Sequence, residues 1–143
     1  MMKRTVRAVV VTALAAAGVF GTTALAGPAS AATRGVVEAQ YNGVCGKGFE
    51  VVDFYDLDKL GTMYLTWNEK TGEACAVTVR SKPGARLYMH AKLYQMDHNE
   101  ISDGDSGAFT TYAGPVTIPA RGECIAWRGQ IADQYLVQNY NCD

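Results

Sequence analysis

The stretch Gly104-Asp105-Ser106-Gly107 has the order found around the nucleophilic serine of chymotrypsin-like proteases. Acyl transfer by such a serine needs a histidine base within hydrogen-bond reach, a carboxylate to orient that base, and donors for the oxyanion. Past the N-terminal segment the histidines are His90 and His98, 16 and 8 residues before Ser106. His90 alternates with Tyr88 and Lys92, an outward strand pattern, while His98 shares the polar stretch that carries the serine. A local His98–Ser106 pair is the one route to a small serine hydrolase. No oxyanion donors or substrate cleft go with it, and Ala108-Phe109 follows the quartet where those proteases continue Gly-Pro.

The same stretch could hold a hard cation. Asp97, Asn99, Glu100, Asp103 and Asp105 place five oxygen-bearing side chains within nine residues. The EF-hand register fails, because counting from Asp103 puts Gly107 at position five and Gly114 at position twelve. Residues 97–107 therefore read as a solvated acidic loop, and no metal or other cofactor is expected. A third chemistry is aromatic. Tyr64, Tyr88 and Tyr94 alternate against apolar neighbours, so exposed rings on a sheet could stack on sugars or dock a partner, or pack across strands instead. Glu50, Asp53, Asp56 and Asp58 form no catalytic carboxylate pair by any spacing rule.

Positioning such groups falls to short strands. GTMYLTW sets Met63, Leu65 and Trp67 on one face and Thr62, Tyr64 and Thr66 on the other. NEKTG closes a hairpin, and ACAVTVR returns with Cys75, Val77 and Val79 aligned. After the SKPG turn, RLYMHAKLYQM alternates again, followed by AFTTYAGPVTI, ECIAWRGQI and DQYLVQNY. Turn signals recur about every ten residues and no helical period persists. The expected fold is all-β: a small single-domain antiparallel sandwich or barrel of about seven strands.

The ends and the composition narrow the setting. Lys3, Arg4 and Arg7 precede an Ala/Val-rich run that ends at Ala29-Ser30-Ala31, the pattern of a cleaved secretory signal over residues 1–31. Residues 32–44 read as a flexible lead-in, and 45–143 as the β domain. Of 13 basic residues three leave with the signal while all 14 acidic ones stay, so the mature net charge is −4. That excludes a basic footprint for nucleic acid, and no second apolar span follows. Cys45, Cys75, Cys124 and Cys142 lack zinc-site spacing and read as two disulfides of an exported domain. Three pairings are formally open. The strand map favours Cys45–Cys75 and Cys124–Cys142, since each pair falls at one end of neighbouring or alternate strands.

YNGVCGKGFEVVD, LGTMYLTWNEKTGEACAVTVR, TYAGPVTI and ECIAWRGQI, with the closing NC, resemble the spore-associated protein A family of filamentous spore-forming actinobacteria. The similarity runs from about Tyr41 to Cys142, with the four cysteines in matching context. Its signature passes through Tyr112-Ala113-Gly114-Pro115-Val116 and the cysteines, not through Ser106. The resemblance implies a small secreted protein found with spores and aerial growth, with no established enzymatic chemistry or cofactor. Together these readings give a secreted, non-catalytic protein at the spore or aerial cell surface, with surface glycan or protein as partner. An extracellular binding module is the alternative, for cell-wall glycan through the tyrosines with Trp67 or Trp127 reporting, or as a hydrolase inhibitor through 97–107. The Ser106 hydrolase is the third.

Overall fold

A computed structural model describes residues 37–98 and 100–142. The expected signal over 1–31, the first residues of the lead-in, Asn99 and Asp143 lie outside the described residues. Eight strands follow one another: β1 (Phe49–Asp56), β2 (Gly61–Asn68), β3 (Glu73–Arg80), β4 (Leu87–Gln95), β5 (Ser102–Phe109), β6 (Tyr112–Pro119), β7 (Ile125–Ile131) and β8 (Gln134–Tyr140). They form two four-stranded sheets ordered β1-β2-β3-β6 and β5-β4-β7-β8, with every pairing antiparallel. The all-β expectation holds, and of the two architectures left open the sandwich is the one formed. No helix among the described residues is long and apolar enough to cross a membrane.

Side-chain alternation builds the core. Met63 and Leu65 of β2, Met89, Ala91 and Leu93 of β4, Val116 and Ile118 of β6, and Ile125, Trp127 and Ile131 of β7 meet between the sheets, all fully buried. Gly129, the remaining inward position of β7, sits where the two sheets approach closely. A Cβ there would lie 2.6 Å from Met63 Cβ and 2.9 Å from Thr78 Oγ1. The Thr78 hydroxyl also donates to the His90 carbonyl at 2.9 Å, a polar tie between the sheets.

The outer face of the first sheet is covered over its central strands, β2 and β3. Residues 37–44 run across it: the N–H groups of Glu38 and Ala39 donate to Thr62 Oγ1, and the Tyr64 hydroxyl donates to the Ala39 carbonyl. Ala39, Tyr64, Val77 and Val79 make a second small core there, with Tyr41, Val44, Phe54 and Tyr112 around it. From Val37 onward the segment read as a lead-in is thus a strap. Cys45–Cys75 fastens its end to β3 across 30 residues, and Cys124–Cys142 closes the β7–β8 hairpin across 18. Both pairings match the sequence expectation. On the chain-entropy account each closure contributes roughly 3–4 kcal/mol.

One expectation changes. The polar stretch at 97–107 is not all loop, because Ser102–Phe109 is a full strand paired with β4 from Ser102↔Tyr94 to Phe109↔Leu87. AFTTYAGPVTI is accordingly split, with Phe109 ending β5 and Tyr112 opening β6. Glycine, serine and aspartate are poor strand formers, and here the β4 template overrides their propensity. Two carboxylates add to it. Asp103 Oδ2 accepts from Thr117 N–H at 2.9 Å and Asp105 Oδ2 from Gly114 N–H at 2.8 Å, joining the edge strands β5 and β6 of opposite sheets.

The Gly129 approach is directly testable. Gly129→Val should overpack the Met63–Thr78 contact and lower unfolding free energy by about 1–3 kcal/mol in urea titrations. An unchanged midpoint would mean the sheets are not in close contact there.

Candidate functional site

The exposed face of the second sheet is a grid set by register. Across β5, β4, β7 and β8 its rows read Ser102, Tyr94, Ala126 and Asn139; then Gly104, Lys92, Arg128 and Val137; then Ser106, His90, Gln130 and Tyr135. Tyr88 and Ala108 extend it by one further pair. The β5 column carries only small side chains, so the tall groups of β4, β7 and β8 rise beside a low ledge. Tyr88 and Tyr135 are 50% and 61% exposed, and Val137 is also exposed. Lys92 Nζ lies 5.7 Å from the Tyr94 ring centre, and the Arg128 guanidinium 5.1 Å from that of Tyr135.

Of the three tyrosines that could either meet a ligand or pack across strands, this face holds two. Tyr88 is open and Tyr94 half-buried beside Lys92. Tyr64 is a correction: at 4% exposure it lies under the strap, stacked near Tyr41 and Phe54 with ring centres 5.5 and 5.9 Å away. The alternation rightly put it opposite Met63 and Leu65, but that second face is also packed. Burial raises its phenol above the ordinary range.

Ser106 faces outward on β5, and its cross-strand partner is His90 rather than His98. His98, the histidine that a loop at 97–107 would bring to Ser106, lies before β5 begins. Asp105, the carboxylate next to the serine, points to the opposite side and is bonded to Gly114 N–H. Asp103 is likewise occupied by Thr117. Among the described residues no group of three or more His, Cys, Asp or Glu is placed to hold a metal ion. Glu38 and Asp58 lie close enough to Asp56 to add to burial in raising its carboxyl above the usual range.

A second constellation surrounds Trp67 at the hairpin end of β2. The indole separates two clefts, of about 330 Å³ beside Ala120, Ile125 and Tyr140, and about 390 Å³ beside Gly48, Glu50 and Val52. Its Nε1 donates to Glu69 Oε2 at 2.7 Å, and the Arg121 guanidinium lies over the ring at 5.8 Å while pairing with Glu69 at 3.4 Å. The indole hydrogen bond first, then Arg121, hold the Glu69 carboxyl below its ordinary range. Trp127, the other tryptophan, is fully buried against Tyr55 and cannot report on a surface ligand. Nothing in the strand pattern separated the two indoles, which share the inward parity of their strands. Only the position of Trp67 one residue before the turn distinguished it.

His90 carries a readable signature of this environment. Partial burial first, then the charges of Arg128 and Lys92, depress its pKa, with Asp105 opposing them weakly. The folded protein therefore favours neutral imidazole, whereas the unfolded chain protonates near 6.5. The His90 contribution is complete above that pH and is lost as pH falls below it. Urea midpoints at pH 7.5 and 5.0 should show a smaller loss for His90→Gln than for the unchanged protein; equal losses would contradict this account.

No protein-family profile matches the chain, and no solved structure matches it significantly. Among curated proteins, spore-associated protein A of Streptomyces coelicolor is 42% identical over 121 residues, covering 84% of this chain and 78% of that relative. Identity at this level over this span places both chains on one fold and in one lineage. The chain belongs to the spore-associated protein A family.

Proposed function

We propose that this protein is an exported, non-catalytic component of the spore or aerial cell surface. The observation that carries the reading is the similarity to a relative named as spore-associated. Three features support it. The N-terminus has the pattern of a secretory signal, two disulfides suit an oxidising extracellular setting, and both faces of β2 and β3 are committed to packing. Such a domain is suited to persist outside the cell rather than to open and close around a substrate.

Asp105 argues against the hydrolase alternative on geometric grounds. A triad needs its carboxylate behind the imidazole, and the one beside Ser106 is turned away to bond β6. The inhibitor alternative loses its long projecting loop, because most of 97–107 is strand. The glycan-binding alternative keeps Tyr88 and Tyr94 and gains Tyr135.

Fractionation tests the location. A mild detergent or salt wash of intact spores should release the protein without cell lysis. Recovery solely from the contents of lysed cells would overturn the surface reading. A fluorophosphonate probe tests the chemistry: it should leave Ser106 unlabelled, and labelling that disappears in Ser106→Ala would make the protein a serine hydrolase.

A further inference from the structure

Lys92 and Arg128 are direct cross-strand partners on the exposed grid. Like charges so placed repel, an arrangement that folding alone does not favour. The grid supplies no carboxylate to relieve it, since the acids of β5, Asp103 and Asp105, turn to β6. Ion pairs among the described residues lie elsewhere, at His98–Glu100 and Arg121–Glu69. An acidic chain has thus gathered two permanent cations on one flat face, with a tyrosine beside each.

We propose that this face binds an acidic polysaccharide, with a sugar carboxylate held between Lys92 and Arg128 and adjoining rings resting on Tyr94 and Tyr135. The inference rests on the surface reading above and names what would hold the protein there. Charge complementarity selects an anion, and Arg128, whose Nη2 also donates to Gln130 Oε1 at 3.3 Å, brings a guanidinium, the cation that suits a carboxylate. The open Tyr135 ring and the half-buried Tyr94 ring give apolar area with a polar tip, the chemistry that a sugar ring's CH face and hydroxyls require. The low β5 ledge leaves one flank open for a polymer to continue past the cations. Two cations without a longer basic stripe, in a chain of net negative charge, are a poor footprint for nucleic acid.

Affinity electrophoresis of the purified protein through gels carrying polygalacturonate, dextran or polyphosphate tests this. Polygalacturonate should retard the protein and neutral dextran should not. Retardation should weaken as salt rises from about 50 to about 300 mM. The Lys92→Ala/Arg128→Ala double variant should bind about tenfold more weakly or worse, and Tyr135→Ala should bind measurably more weakly than the unchanged protein. Urea unfolding should show the double variant folding cooperatively with a midpoint near the parent's, because removing the repulsion offsets the lost contacts with Tyr94, Tyr135 and Gln130; this separates lost binding from lost folding. Absence of retardation by polygalacturonate would overturn the inference, as would a double variant that binds normally. So would equal binding to polyphosphate that Tyr135→Ala leaves unchanged, which would mean charge attraction alone. A double variant still retained on spores would also sink the polysaccharide inference while leaving the surface reading intact.

Discussion

Covering the outer face of the first sheet is the constraint on which the molecule is organised. Thr62, Tyr64, Thr66, Val77 and Val79 would be left in water by a bare sandwich, and two of them are threonines whose hydroxyls need partners. The strap at 37–44 meets both demands at Thr62 and Tyr64, while the Thr66 hydroxyl donates within the sheet to the Cys75 carbonyl at 3.1 Å. Its backbone donates to Thr62 and accepts from Tyr64, while Ala39, Tyr41 and Val44 add apolar cover. Cys45–Cys75 keeps that short segment beside its sheet, so that a contact area too small to hold a free peptide becomes part of the fold. With β2 sealed on both sides, surface chemistry is displaced to the second sheet and to the Trp67 end.

The two sheets therefore differ in kind. Inward positions of β4 and β7 do the packing, and their outward positions are released from it, which is why Lys92, His90, Gln130 and Arg128 can stand in adjacent rows. The low ledge of β5 is part of the same division, since Gly104 and Ser106 take little room beside Lys92 and His90. Small residues that weaken a strand on propensity alone here shape a surface.

Much of this was legible before folding was considered. Alternation in β2 and β4 gave the faces that meet between the sheets, and the cysteine positions relative to the strands gave both disulfides; in β3 the aligned Val77 and Val79 turn to the strap, while Ala74, Ala76 and Thr78 face the other sheet. What escaped depended on long-range partners. Ser102–Phe109 has the composition of a turn, and it is a strand because β4 offers a complete hydrogen-bonding edge and β6 offers N–H groups to its aspartates. Tyr64 looked free because alternation describes two faces and cannot say whether each has a cover. The clefts beside Trp67 join β1 and β2 to residues 120–123 and the end of β8, distant segments that no local pattern connects.

The β5–β6 seam also bears on how copies of this chain meet one another. Edge strands invite pairing with other chains through their open backbone groups. Here Asp103 and Asp105 occupy the N–H groups of Thr117 and Gly114 and bring charge to the edge an incoming strand would have to approach. Each sheet thereby shields the other at its vulnerable margin. At this margin neighbouring copies meet charge and occupied N–H groups, which leaves β1 and β8 as the edges where strand addition is open to them.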